Sequence, residues 1–374
     1  MDYSLRVEER TIFKRIDWNL VIFVLALNIV GLFNLYSATH GPHSQDIQGL
    51  FANQIIWLGV GWSLYFIFTF IDYNLVSKLA YFIYFLNLGA VLFVTFYGAV
   101  ALGAQRWIDL HFMRYQPSET MKLAMIMVFA KTMAHKRIDG KGLGIKDLIW
   151  PIILMGIPFV LIVKQPDLGT ALLIAAISGT MILFMQVKKW ILTILIISGV
   201  VAAPLAWKYA LRDYQKARIQ NFISPTNDPQ GSGYNSIQSK IAVGSGRFFG
   251  KGFRKGTQSQ LEFLPERHTD FIYSVLSEEF GMVGSSLVIA LFCWLFLIMV
   301  RIASTARDKF GAILTVGVLS YIFWHMFINI GMVIGLLPIV GVPLPLLSYG
   351  GSSMLTTMTG LGLVSAVAYR RYIF

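Results

Sequence analysis

The residues of this chain placed where chemistry is possible are carboxylates and cations at the ends of long apolar runs, and the glycine- and proline-rich turns between those runs. Ionisable groups at such edges are costly and face a cavity or a partner. Asp and Glu number only 19, so each can be weighed singly. One cluster is Gly103-Ala104-Gln105-Arg106-Trp107-Ile108, followed by Gln116-Pro117-Ser118-Glu119 and Lys122. Pro117 suits the first turn of a helix, which makes Glu119 and Lys122 i,i+3 neighbours and a helix-terminal ion pair their simplest reading. Ser118 and Lys122 do not form the Ser-x-x-Lys pair of serine acyltransferases, because three residues intervene. A second cluster, Lys164-Gln165-Pro166-Asp167-Leu168-Gly169-Thr170, is a tight turn in which Asp167 caps the next helix. A third is Gly244-Ser245-Gly246-Arg247-Phe248-Phe249-Gly250-Lys251-Gly252. It fails the phosphate-loop spacing and has no surrounding βαβ unit, so it is either a flexible turn or a set of backbone N–H groups open to an anion.

Leu264-Pro265-Glu266-Arg267-His268-Thr269-Asp270 leads directly into another apolar run. Asp270 there is a carboxylate beside a cationic loop, and a helix N-cap accounts for it as well as a catalytic role does. The last cluster runs from Asn329-Ile330-Gly331-Met332 through Gly335, Pro338, Gly341-Val342-Pro343-Leu344-Pro345 to Ser348-Tyr349-Gly350-Gly351-Ser352-Ser353. Broken backbone at membrane depth is tolerated where it is buried or lines a cavity, so this segment is either such a lining or a plain turn. Gly331 and Gly335 form a GxxxG pair that permits close helix approach. No His or Cys spacing suggests a metal, and the single cysteine, Cys293, has no disulfide partner in the chain.

The elements that hold these residues follow from composition. Of 374 residues 56% are hydrophobic and 13% charged, half the share usual in a soluble domain. Ten apolar runs of spanning length lie at roughly 18–38, 54–71, 77–98, 117–134, 148–164, 168–187, 190–208, 271–300, 310–336 and 349–369. Helices satisfy their own backbone in a bilayer, so the expected fold is all-α: a polytopic membrane protein of about ten transmembrane helices, in one domain over 1–374. Arg6, Arg10, Lys14 and Arg15 precede the first run. Lys131, Lys136, Arg137, Lys141 and Lys146 follow the fourth, Lys188 and Lys189 lie between the sixth and seventh, and Arg301, Arg307 and Lys309 between the eighth and ninth. Arg370 and Arg371 come at the end of the chain. This alternation puts both termini in the cytoplasm. Arg106 and Arg114 fall on the other side and count mildly against the topology. The stretch of about 209–270, between the seventh and eighth helices, is a large external loop, too long for a connector, and long loops translocate whatever their charge. Trp18, Trp150, Trp190 and Trp207 stand near helix ends, as an aromatic belt does. The net charge of +12 reads as loop anchoring on anionic membrane lipid, not as nucleic-acid binding.

In this order, GAQRWI, QPSE with Lys122, QPDLGT, DPQGSGYN through QSKIAVGSG to GTQSQLEFLPERHTDF, and NIGMVIGLLPIVGVPLPLLSYGGSS resemble the SEDS family (shape, elongation, division and sporulation) over nearly the whole chain. The compact chain is more similar to its RodA branch than to its division branch, FtsW. The resemblance implies a peptidoglycan glycosyltransferase that polymerises lipid II, the undecaprenyl-pyrophosphate disaccharide pentapeptide, on the outer face of the bacterial cytoplasmic membrane. It implies a class B penicillin-binding protein and other elongation-complex proteins as partners. It maps the essential carboxylate onto Asp270 and the motif tryptophan onto Trp107. An α-linked donor giving a β-1,4 product requires inversion and one general base. The pyrophosphate leaving group needs cations, for which Lys216, Arg218, Arg106 and Lys122 are candidates, with Glu119, Gln258, Glu266 and Ser348 further substrate-binding candidates from the same motifs. A divalent cation, magnesium or manganese, would serve the same end; no protein metal site is expected. Two other functions suit a chain of this kind, a lipid II flippase and a scaffold that only activates the penicillin-binding protein.

Overall fold

The computed structural model describes residues 14–41, 47, 49–101, 104–109, 114–136, 142–210, 212–224 and 232–371. Arg6, Arg10, Gly103, Arg137, Lys141 and the Asp228-Pro229-Gln230-Gly231 part of one motif lie outside the described residues. Ten helices of seventeen or more residues stand at the ten apolar runs: α1 (Trp18–Thr39), α2 (Gly49–Phe70), α3 (Tyr73–Tyr97), α4 (Pro117–Ala134), α5 (Ile145–Lys164), α6 (Leu168–Phe184), α7 (Lys189–Leu205), α11 (Ile272–Ser304), α12 (Lys309–Val333) and α13 (Gly351–Arg370). Six of them, α1, α2, α3, α5, α11 and α12, are long and apolar enough to cross a bilayer by length and composition. Large apolar side chains such as Phe82, Leu86 and Ile196 point outward, as lipid-facing residues of a membrane protein do. Helix α4 is the axis of the bundle: Met121 to Ala130 are buried without exception, together with Ser118 and Glu119. It packs on α3 and α12, while α13 packs on α2 and α11 on α1 and α12.

Two connections carry structure that the sequence pattern does not announce. Between α3 and α4 the chain forms a small antiparallel sheet of β1 (Ala99–Ala101), β2 (Ala104–Asp109) and β3 (Arg114–Tyr115). These strands are too short for a two-residue alternation to stand out. The stretch of about 209–270 is largely helical, with a π-helical turn Ala206–Ala210, then α8 (Asp213–Ile223), α9 (Ser232–Ser245) and the short α10 (Thr257–Gln260). Polar composition hid α8 and α9, which cover the end of a bundle without crossing it.

The glycine-rich run after α9 is tied to α11, and most of its N–H groups are spent within the protein. Gly250 N–H donates to the Gly246 carbonyl, and Lys251 and Gly252 N–H to the carbonyls of Glu278 and Glu279. Met282 and Val283 N–H donate back to Arg247 and Phe248. This strap closes on a break inside α11, where Gly281 adopts φ 63 and ψ −155. Ile272 to Glu279, before the break, are buried throughout. The Met282–Ser304 piece is about 34 Å long at 1.5 Å per residue, enough to cross a bilayer alone.

Gly331 and Gly335 do not bring two helices together. Leu336 N–H donates to Gly331 O and Gly335 N–H to Met332 O, with Gly335 at φ 79, a Schellman ending of α12. Gly362 in α13 admits close helix approach, since a Cβ there would lie 2.6 Å from Tyr65 O of α2, and Gly31 in α1 and Gly169 in α6 admit the segment between α12 and α13. A Cβ on Gly31 would lie 2.7 Å from Leu346 O, and one on Gly169 2.5 Å from Val340 O. The segment between α12 and α13 thus rests on bare helix backbone.

Gly281→Ala tests the strap. A Cβ there would meet Gly250 N at 2.4 Å and Phe248 O at 2.7 Å, in a backbone region nearly restricted to glycine. The expected loss is about 2 kcal/mol or more, read as a lowered unfolding temperature in detergent; unchanged stability would mean that the break does not need glycine.

Candidate active site

Asp270 lies at the end of the bundle opposite most of the Lys- and Arg-rich loops, on the turn before α11. Its segment is fixed from four sides. Arg267 Nε donates to Ala38 O at the end of α1 (2.9 Å), and its Nη2 pairs with Glu262 (2.8 Å). Tyr349 N–H donates to His268 O at 3.0 Å. Ser348 Oγ donates to Thr269 O at 2.7 Å while accepting from Leu344 N at 2.8 Å. Asn329 Nδ2, on α12, donates to the backbone carbonyls of Asp270 (2.8 Å) and Val342 (2.7 Å).

With its backbone held, the Asp270 side chain makes no hydrogen bond among the described residues. The N-cap of α11 is Phe271, without side-chain capping, so the capping reading of Asp270 does not apply. Asp270 Oδ2 lies against Gly341, where a Cβ would stand 3.4 Å away. Burial pushes the carboxyl up to about 7, the nearby charge of Glu266 adds to the rise, and Arg218 opposes it. A carboxylate with that value accepts a proton near neutral pH and releases it again.

The other candidates divide into those brought to Asp270 and those spent elsewhere. Glu266 and Arg218 act on it directly. Arg218 shares a small pocket with Asn221, Phe222, Ser236 and Ile339. Lys216 is two residues away on α8, and residues so spaced do not share a helix face. Trp107 is half-buried on β2 at this end of the bundle, paired with Ala99. Gln258 N–H donates to Glu278 Oε1 at 2.9 Å, so its backbone serves the strap while its side-chain oxygen is buried without a partner. The Ser348 hydroxyl is committed on both sides and positions the Asp270 segment.

Arg106 and Lys122 each meet a carboxylate within the protein. Arg106 is held by the Pro166 carbonyl and by Asp167 at 3.6 Å. Asp167 also caps α6 through Thr170 N at 3.2 Å, as its position suggested. Lys122 has no exposed surface. Its ammonium donates to Glu119 at 2.7 Å and to His325 Nε2 at 2.8 Å, so Glu119, in the first turn of α4, and Lys122 form the helix-end pair their spacing suggested, and it is fully buried. His325 and the adjacent carboxylates Glu278 and Glu279 were missed from sequence. The available signal was their type alone, ionisable residues inside apolar runs. Among the described residues no group of three or more His, Cys, Asp or Glu is placed to hold a metal ion.

Fold and site define a helical membrane protein with a carboxylate of raised pKa, Asp270, held by a broken segment at one end of the bundle. Comparison with known proteins gives the family. The FtsW/RodA/SpoVE profile, described as cell cycle protein, matches residues 17–373, and the chain belongs to that family. It is 38% identical to the Escherichia coli peptidoglycan glycosyltransferase MrdB over 95% of this chain and 94% of that one. It is 36% identical to the Bacillus subtilis stage V sporulation protein E over 95% and 98%. Among solved structures, a chain of a peptidoglycan synthase complex that coordinates polymerization and crosslinking superposes with a TM-score of 0.82 at 28% identity, covering 96% of this chain and 99% of that one. The Thermus thermophilus rod shape determining protein RodA gives 0.72 at 28% identity, covering 96% and 98%.

The raised carboxyl has a stability consequence. Asp270 is neutral in folded and unfolded chains below its ordinary value of 3.8, and charged in both above about 7. Its cost to folding is therefore absent in acid, grows as pH rises between the two values, and is complete above the higher one. Asp270→Asn removes that cost. It should raise the unfolding temperature more at about pH 8 than at about pH 5; a difference independent of pH would mean that the carboxyl is not raised.

Proposed function

We propose that this protein, a peptidoglycan glycosyltransferase of the membrane, polymerises lipid II into β-1,4 glycan strands for cell elongation, with Asp270 as the general base. The observation that carries the mechanism is the Asp270 carboxylate: its backbone is fixed by Asn329 and Ser348, its oxygens are unspent, and its pKa is about 7. The acceptor sugar hydroxyl loses its proton to Asp270 as its oxygen attacks the anomeric carbon of the donor. The bond to the undecaprenyl pyrophosphate breaks in the same displacement, which inverts the anomeric centre. The leaving group departs ionised and needs no acid, only positive charge. Arg218 supplies that charge beside the base, with Lys216 on the same helix near its path.

All ten long helices cross the bilayer in this reading. The Lys- and Arg-rich end is cytoplasmic, with both termini, and the Asp270 end faces outward from the inner membrane. The likeness to a synthase complex that couples polymerization to crosslinking supports a class B penicillin-binding protein as the partner that crosslinks the product, within the elongation complex. A divalent cation in the reaction would be carried in by the pyrophosphate, as no cluster of protein ligands awaits it among the described residues.

Purified protein with its partner should form glycan polymer from fluorescent lipid II, and Asp270→Asn should form none above background. The wild-type kcat/KM should rise about tenfold per pH unit below about 7 and level off above it. Movement of lipid II across vesicles without polymer would point to a flippase instead, and polymer from the Asp270→Asn protein would remove Asp270 from the mechanism. Arg218→Ala should lower kcat/KM on the order of tenfold to a hundredfold; unchanged turnover and lipid II affinity would exclude it as the pyrophosphate ligand.

A further inference from the structure

Tyr321, His325 and Asn329 are spaced four apart on α12 and form one stripe of that helix, buried over its length. The stripe runs from the Glu119–Lys122 pair to Asp270. At its inner end the Lys122 ammonium lies 5.3 Å from the centre of the Tyr321 ring. Tyr321 OH is 3.1 Å from Thr357 Oγ1 on α13. In the middle, His325 is completely buried, with Lys122 Nζ 2.8 Å from Nε2 and the Pro343 carbonyl 3.4 Å from Nδ1. At the outer end Asn329 holds the neighbouring carbonyl, Val342 O, and the carbonyl of Asp270.

These partners fix the state of the imidazole. A lysine ammonium only donates, so Nε2 must accept. A carbonyl only accepts, so the proton sits on Nδ1 and points to Pro343. With Nε2 accepting and Nδ1 donating, the ring carries one proton. The charged and titratable groups facing His325 are Lys122 and, behind it, Glu119 from α4, with Tyr321 on its own helix. Those acting on Asp270 are Glu266 and Arg218.

We propose that His325 is a positioning residue for glycosyl transfer: by tying Pro343 to the buried Lys122–Glu119 pair it presses Gly341 onto the Asp270 carboxylate and keeps that oxygen poorly hydrated. The carbonyls of Val342 and Pro343 are consecutive, and Gly341 precedes them. Releasing one of the two anchors lets the segment lift, and water then reaches the half-buried carboxylate more freely. A better hydrated Asp270 is a weaker base, and its titration moves toward that of an ordinary carboxylate.

The proposal rests on Asp270 being the base, and one set of assays separates the two claims. Wild type, Asp270→Asn, His325→Leu and His325→Gln are compared with the partner protein, on fluorescent lipid II, across pH. His325→Leu removes both contacts. It should lower kcat on the order of tenfold to a hundredfold, and the midpoint of its pH–rate profile should move to lower pH. His325→Gln returns an oxygen that accepts from Lys122 and an N–H for the loop carbonyl, and should recover activity to within about threefold of wild type with the original midpoint. Activity from Asp270→Asn would remove the premise. With Asp270→Asn inactive, a His325→Leu protein equal to wild type, or a drop in rate with no movement of the midpoint, overturns the positioning role. Where His325→Leu fails to fold, His325→Gln decides: wild-type behaviour upholds the polar tie, and impaired turnover or misfolding refutes it.

Discussion

The amide of Asn329 holds two backbone carbonyls at once, one from the turn that carries Asp270 and one from the irregular segment that covers it. In a membrane bundle that contact decides more than its own small energy would suggest. The segment between α12 and α13 has no helical or sheet partner for its carbonyls, and a buried carbonyl left unpaired costs several kcal/mol in an apolar surrounding. Broken backbone can therefore lie inside the bundle only where side chains of neighbouring helices supply donors. Asn329 and His325 from α12 and Gln54 from α2 do so, Ser348 within the segment donates in turn to Thr269 O, and Gly31 and Gly169 clear the floor beneath. The placement of the carboxylate follows from this satisfaction of backbone groups.

Two carboxylates near each other in sequence show what such placement does. Glu278 is fully buried and saturated: Lys251, Thr257 and the N–H of Gln258 converge on one oxygen, and the N–H of Ser259 reaches the other. Its charge is neutralised by donors, and it serves as the anchor of the strap and of α10. Asp270 has its backbone tied as firmly but its oxygens left free. The first arrangement makes a rigid part, since donors hold both oxygens in the resting protein. The second leaves capacity for a proton from outside. Rigid anchoring of the main chain and an unspent side chain together are what a general base requires.

The helical frame was legible because bilayer-length apolar runs admit one backbone solution, and the ten runs coincide with the ten long helices to within a few residues. Asp270 was legible through its neighbours in the chain, from Leu264 onward. The rest depended on contacts that linear spacing does not encode. Lys122 and Glu119, three positions apart, read rightly as a pair at the start of α4, yet their full burial against His325, two hundred positions away, is not encoded there. Gly331 and Gly335 have the spacing of a helix-packing motif and the conformation of a helix ending, which only dihedral angles distinguish. Gly244 to Gly252 has the composition of an anion loop. Most of its N–H groups were unavailable for a reason invisible in the run itself, the break at Gly281 some thirty residues further on.

The count of cations overstated what faces a substrate for the same reason. Arg106, Lys251 and Arg267 each meet a carboxylate within the protein, Asp167, Glu278 and Glu262 respectively. Arg106 also explains its own presence against the charge asymmetry of the loops. Its partner Asp167 caps α6, so the pair adds no net charge to that end of the bundle and does not oppose the orientation set by the opposite loops. The cation proposed to meet the leaving group, Arg218, lies on α8, a helix set over the end of the bundle. There Arg218 is close enough to Asp270 to stabilise its charged form, but not so dominant as to cancel the effect of burial. A stronger cation–carboxylate pairing would hold Asp270 ionised and weakly basic. A weaker one would leave the departing pyrophosphate without a counter-charge. In the proposed reaction this balance lets one cation serve the base before transfer and the leaving group after it.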